Sequence, residues 1–189
     1  MNKKLGLGKN KIFPYQWAFT LLIPFRNIFL SPKQVIDRLS LKDDMMVLEL
    51  GSGPGYFSSK VATVLTNGHL VIADIQSEML CFAEKRMKKQ GIANVESYLC
   101  NGTSFDFKDE SFDRIFMVAV LGEVENKTNY MKEFHRILKR HGILSISELA
   151  GDSDKMPIQY LKELGINSGF SFLKHFSNKL NYTVNFLKE

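Results

Sequence analysis

Short apolar runs alternate along the chain with segments whose apolar residues recur every three or four positions. Ser31 followed by Pro32 predicts a helix start, the hydroxyl as cap and the proline in the first turn. Val35, Ile36 and Leu39 form its inner stripe, with Lys33, Gln34, Asp37 and Arg38 outside. A first strand is expected over 45–50 and a helix from about 55 to 66. Asn67-Gly68 turns the chain into a second strand over 69–73, closed by Asp74. Residues 76–90 read as a helix striped by Met79, Leu80, Ala83 and Met87, with Lys85, Arg86, Lys88 and Lys89 at its C-terminal end.

Residues 95–100 predict a short third strand and 112–120 a long fourth one, whose unbroken apolar run suits a strand buried on both faces. A helix over 128–140, a turn at His141-Gly142 and a strand over 143–147 follow. Another helix ends at Gly165, and 170–176 and 182–187 read as an antiparallel pair of strands. Strand and helix alternate without repeat or linker, which predicts a doubly wound α/β sandwich. Ahead of it, Pro14 opens a short helix to Leu22 that Pro24 stops. Trp17, Ala18, Phe19, Leu21, Leu22 and Ile23 are too uniformly apolar for a free surface helix. They fold as a lid over a cleft, or touch a membrane or an apolar substrate. Residues 1–30 are therefore read as a basic arm and lid, and 31–189 as the main domain.

Charge sharpens that division. Net charge is +5, yet residues 1–40 hold seven basic side chains against the single acid Asp37, and the remainder has eighteen basic and nineteen acidic. The basicity belongs to the N-terminal arm, which could meet an anionic membrane face, a nucleic acid or an acidic substrate. No stretch reaches eighteen apolar residues, and no signal-peptide cleavage pattern follows the N-terminal lysines. Cys81 and Cys100 give neither a disulfide framework nor a metal pattern, so a reduced cytoplasm is the expected setting and Cys100 an apolar filler. His69, His135, His141 and His175 are scattered without metal-ligand spacing.

The chemistry concentrates in Met46-Val47-Leu48-Glu49-Leu50-Gly51-Ser52-Gly53-Pro54-Gly55-Tyr56-Phe57. Strand, glycine turn and helix in succession bring backbone N–H groups up to a ligand. A dinucleotide site would need its third glycine at position 56, where this chain has Tyr56, and the Lys-Ser/Thr pair of a phosphate loop is absent. The run E-L-G-S-G-P-G resembles the first motif of the class I methyltransferases that use S-adenosylmethionine. Ser111-Phe112-Asp113-Arg114-Ile115 and Gly142-Ile143-Leu144-Ser145-Ile146-Ser147-Glu148 resemble that family's fourth and fifth strands, and the likeness spans residues 30–187.

The resemblance implies a seven-stranded, mostly parallel, Rossmann-like sheet in the order 3-2-1-4-5-7-6. It also implies a cofactor site built from Glu49 toward the ammonium end, the loop Gly51, Ser52, Gly53 and Gly55, and Asp74 toward the ribose hydroxyls. Ile75 would press on the adenine, Asn101-Gly102 stands where the family has an acid for the adenine amino group, and Ala119 ends the fourth strand. Many members carry histidine where this chain has Gly122, which would leave room for a bulkier acceptor. Glu123 and Glu148 are then the candidate catalytic bases, with Tyr15, Trp17 and Arg26 as candidate acceptor contacts. No separate recognition domain fits in the chain, and no obligate protein partner is expected. The expected activity is methyl transfer to a small or lipid-like molecule. An RNA or other nucleic-acid methyltransferase and a non-catalytic S-adenosylmethionine-binding protein are the alternatives; the N-P-P-Y-type catalytic tetrapeptide of nucleic-acid enzymes is absent.

Overall fold

In the computed structural model, residues 14–22, 27–102 and 104–189 are described. A capping box fixes the first α-helix, α1 (Pro32–Leu39): Ser31 Oγ accepts from Gln34 N, and Gln34 Oε1 accepts from Ser31 N. Val35 and Leu39 are buried and Ile36 packs beside them. Then come β1 (Met46–Leu50), α2 (Ser58–Val64), β2 (His69–Asp74), α3 (Ser77–Lys89), β3 (Val95–Leu99) and β4 (Phe112–Val118). The rest is α4 (Lys127–Ile137), β5 (Leu138–Leu149), α5 (Ile158–Asn167), β6 (Ser171–Ser177) and β7 (Asn181–Leu187).

The seven strands form one sheet in the order β3-β2-β1-β4-β5-β7-β6. Neighbours pair in parallel, except that β7 runs antiparallel to both β5 and β6. Alternate side chains of the central strands feed two cores. Leu48, Ile115, Met117 and Leu144 pack with Phe134 of α4 and Leu161 of α5 on one face. Val47, Ile72 and Phe116 pack with Leu39, Val61 and Leu80 on the other. The doubly wound reading and the strand order are both realised.

Several local expectations shift. The short helix expected to Leu22 is a 3-10 helix, Tyr15–Leu22, and it turns Ala18 inward while Trp17 and Phe19 stay 54% and 61% exposed. Arg38, expected outside, crosses to β7: its guanidinium donates to Asn181 Oδ1 (3.0 Å) and Thr183 Oγ1 (2.6 Å), because that face of β7 is polar. The long helix stops at Ile137 instead of 140, and the predicted turn is absorbed into β5. There the pairing steps from Phe112–Leu138 to Arg114–Ile143, and His141 takes the left-handed φ of 62° at the irregularity. Of the basic end of α3, the three lysines are solvated while Arg86 turns in toward the Gly55 carbonyl and Ser59 Oγ. At the far rim, β6 leaves Phe172, Leu173, Lys174 and His175 exposed, and its pairing with β7 shifts between Phe172 and Lys174.

Candidate active site

The sheet reverses direction of growth at β1, with β2 on one side and β4 on the other, and a cleft of about 700 Å³ opens at the carboxyl ends there. Its floor is the glycine turn. Gly51 N and Ser52 N both donate to Ala73 O, at 2.7 and 3.2 Å, tying the turn to the end of β2. Gly51 has φ +67°, and a Cβ there would lie 2.3 Å from Val120 Cγ2, so both conformation and space demand glycine. Gly53 faces open space, its nearest prospective neighbour being Leu21 Cδ1 at 3.7 Å. The cradle that a side chain would fill is thus present at the cleft's centre.

Two acids flank the turn, and burial matters for each. Asp74 is 7% exposed and accepts from Gly53 N at 2.9 Å on Oδ2 and from Gln76 N at 3.0 Å on Oδ1. Burial pushes its carboxyl above the usual carboxylate value, while the N–H groups of Gln76, Gly53 and Ile75 pull it back. Glu49 is 2% exposed, lines the cleft, and accepts from Ser58 Oγ at 2.5 Å. Gly55 differs from its neighbours in the motif. It does not line the cleft; a Cβ there would meet Met87 and Ala83 of α3, and its carbonyl receives Arg86. Because Gly55 takes φ +79°, helix α2 cannot begin there and starts at Ser58 after Phe57.

On the β3 side, Ile75, Asn101 and Gly102 line the cleft as expected. Ile75 is half exposed toward it, and Asn101 Oδ1 already accepts from Ser104 N at 3.1 Å. Cys100 lies beneath them with its thiol pushed up to about 12, by burial first and by Asp74 second, so no reactive thiolate forms at neutral pH. On the β4 side, Ala119 lines the wall with φ +56° while its N donates to Ser147 O at 2.8 Å. An alanine in this region is strained by roughly 1–3 kcal/mol.

The opposite end is built by the 3-10 turn Leu121–Glu123, the start of α4 and the loop after β5. Glu123 lines it, with Val124, Tyr130 and Asp152. Glu148 does not. It is fully buried behind that wall, with neither carboxylate oxygen hydrogen-bonded. Burial raises its pKa to about 8; Asp152 and Asp154 push the same way, and Lys155 and Lys127 oppose. The space expected at Gly122 is filled: a Cβ would stand 2.1 Å from Asp154 O, so the glycine admits the loop and not a substrate. Tyr15 and Trp17 are exposed and outside the cleft; Leu21 of the same helix lines it, and Arg26 lies outside the described residues. Tyr130 and Asp152 escaped the sequence reading. The aromatic sits in an ordinary helical stripe and the acid in a loop, so only their place after β4 and β5 could have flagged them.

Among the described residues no group of His, Cys, Asp and Glu is placed to hold a metal ion, and no helix is long and apolar enough to cross a membrane. A family model described as a methyltransferase domain matches residues 41–182. The ubiquinone/menaquinone biosynthesis C-methyltransferase UbiE of Haemophilus ducreyi is 30% identical over 117 residues, 61% of this chain and 45% of that protein. The chain therefore spans less than half the length of the curated relatives it matches. In structure it is similar to a SAM-dependent methyltransferase from Aquifex aeolicus, with a TM-score of 0.87 at 21% identity, covering 93% and 99% of the two chains. Haemonchus contortus phosphoethanolamine N-methyltransferase 2, solved in complex with S-adenosyl-L-methionine, superposes with a TM-score of 0.77 at 15% identity over 93% of this chain and 57% of that one.

Proposed function

Because this chain belongs to the methyltransferase-domain family, we propose that it is a class I, S-adenosylmethionine-dependent enzyme and that it methylates a small or lipid-like acceptor. The acceptor would sit at the Glu123–Tyr130 end of the cleft. The observation that carries the acceptor side is the wall itself: Val120, Val124 and Tyr130 line the cleft together with the carboxylates Glu123, Glu125 and Asp152. That mixture suits an apolar body that carries polar groups on one side. The UbiE relatives, whose name states a quinone biosynthesis role, support the same class.

The residues present fit the cofactor. The turn Gly51, Ser52 and Gly53, open to the cleft at Gly53, with Glu49 behind it, would hold the amino-acid end. Asp74 would receive the ribose hydroxyls on the lone pairs its two backbone N–H bonds leave over. Ile75 would cover one adenine face, and Asn101 with Gly102 would border its edge. When bound, the cofactor supplies an activated methyl group on a cationic sulfur, and the chemistry is its own. The protein's part is to fix the acceptor in line and exclude water. Glu123 is the residue for taking the acceptor's proton. Glu148 stays protonated near neutral pH and lies behind the wall, so its part is to hold that wall. The helix Tyr15–Leu22 is read as cover for the cleft, Leu21 being its contact with the floor.

The test is transfer of an isotope-labelled methyl group to three acceptor sets: apolar phenols and quinols in detergent, total RNA, and none. Label in the organic extract is the expected result. Label in RNA that disappears with added salt would move the protein to the nucleic-acid class. Tight cofactor binding with label in neither fraction would make it a binding scaffold.

A further inference from the structure

The wall opposite the glycine turn carries charge of one sign. Glu123 and Glu125 reach the cleft from the segment after β4, and Asp152 reaches it from the loop after β5. The two segments are pressed together, since a Cβ on Gly122 would stand 2.1 Å from Asp154 O. Asp152 is half-buried and accepts from Asp154 N on Oδ1 at 2.9 Å. Among the described residues neither Glu125 nor Asp152 has an ion-pair partner, and no Lys, Arg or His lines the cleft. The lysines of the two segments are used elsewhere. Lys127 Nζ donates to Val124 O at 2.6 Å, and Lys155 Nζ lies over the Tyr182 ring, 5.4 Å from its centre.

A tyrosine beside these acids points to a ligand independently. Tyr130 is only 7% exposed, yet it lines the cleft, its ring held edge-on by Phe105 and Phe134. Tyr56, Tyr98 and Tyr182 each place the hydroxyl in a hydrogen bond, whereas among the described residues that of Tyr130 has no partner. A polar group so nearly buried is costly unless something completes its bonding. Burial first, then Cys100 and Tyr98, pushes its pKa up to about 12, so the hydroxyl stays neutral. An acceptor that reacts as an anion, such as a phenolate or a carboxylate, would bring like charge against this wall. An ammonium brings opposite charge and N–H donors. We propose that the methyl acceptor is an amine, held as its ammonium by Glu125, Asp152 and the Tyr130 hydroxyl. This rests on the reading of this end of the cleft as the acceptor's place. One proton of the ammonium passes to Glu123, and the freed nitrogen pair forms the bond to the methyl carbon. The methyl–sulfur bond breaks with its pair kept by sulfur, so the positive charge moves onto nitrogen, among the carboxylates that stabilise it.

Binding is read by NMR titration of the full chain, with and without S-adenosylhomocysteine, using matched sets that differ in charge. One set is 2-phenylethylamine, 2-phenylethanol and phenylacetate; the other is hexylamine, hexanol and hexanoate. In each, the amine should bind about tenfold or more tighter than the alcohol, and the carboxylate most weakly. Glu125→Gln with Asp152→Asn should bring the amine to within about threefold of the alcohol, whose own affinity holds; a misfolded variant would lose both. Glu125→Lys, at an exposed position, should turn the preference toward the carboxylate. Tyr130→Phe keeps the ring and should weaken the amine about threefold. With S-adenosylmethionine, labelled methyl should appear on the amine nitrogen. The inference is overturned if alcohol or carboxylate binds as tightly as the amine, if no member binds, or if the double variant keeps the preference. Label on a phenol or quinol with the amines unlabelled also overturns it, and leaves the methyltransferase reading intact. A protein that prefers amines but does not bind S-adenosylmethionine would strike that reading and leave the amine site standing.

Discussion

Asp74 spends each carboxylate oxygen on a backbone N–H and still borders the cleft, so it both shapes the glycine turn and faces the open space. Asp74→Ala should weaken S-adenosylmethionine binding about ten- to a hundredfold, the loss of charge-assisted bonds worth roughly 1.5–3 kcal/mol. Calorimetry beside a thermal melt separates lost binding from a lost turn. Glu148 makes a different prediction. Its folded-state pKa of about 8 is above the ordinary carboxylate value, so the folded protein holds a proton that the unfolded chain has released. Stability should fall as pH rises from the unfolded value toward 8, by up to about 1.4 kcal/mol per pH unit, and level off above. Glu148→Gln, which cannot ionise, should melt like wild type in acid and progressively higher than wild type toward pH 9. Melting curves that stay parallel across that range would refute a buried neutral carboxyl. Glu49 and Asp74 were legible in sequence because an acid ending an apolar run is costly unless it has work to do. The neutral state of Glu148 was not legible, because it depends on a loop that folds over the strand end from residues 150–157.

Helix α5 shows how an element is seated by one missing side chain. A Cβ on Gly165 would stand 2.2 Å from Phe186 Cε1, so the helix lies flat on β7 only because that position is glycine. In an exposed helix, Gly→Ala would gain about 1 kcal/mol. Here the overlap with a buried ring in the core reverses the sign, and Gly165→Ala should cost about 1–3 kcal/mol in urea denaturation while cofactor affinity holds. Element starts were the clearest part of the sequence, as Ser31-Pro32 and the apolar stripe of α3 illustrate. Element ends were not. One start slipped as well, α2 beginning three residues past Gly55, and α4 gives way early to β5, because tertiary pairing with β4 outcompetes a helical pattern that runs on to 140. Arg38 was misplaced for the same reason: helical periodicity cannot see that the strand beneath offers Asn181 and Thr183.

For the whole molecule, alternation alone predicts a sandwich, whereas the order of its strands came through the resemblance carried by Glu49-Leu50-Gly51-Ser52-Gly53. Periodicity sets which face a side chain takes, and the two cores follow from it; it does not say which strand lies beside which. The glycine-turn end of the cleft was readable because one contiguous stretch builds most of it. The opposite end, where we place the acceptor, is assembled from segments after β4, in α4 and after β5, and of its residues the sequence reading had named Glu123 but neither Tyr130 nor Asp152. The interrupted pairing of β6 has a consequence for how these molecules coexist in solution. Lysine and histidine stand outward on the terminal strand beside the step in its ladder. Neighbouring molecules are thereby denied a straight, uncharged selvage along which to knit their sheets together, which guards the exposed Phe172 and Leu173 against edge-to-edge pairing.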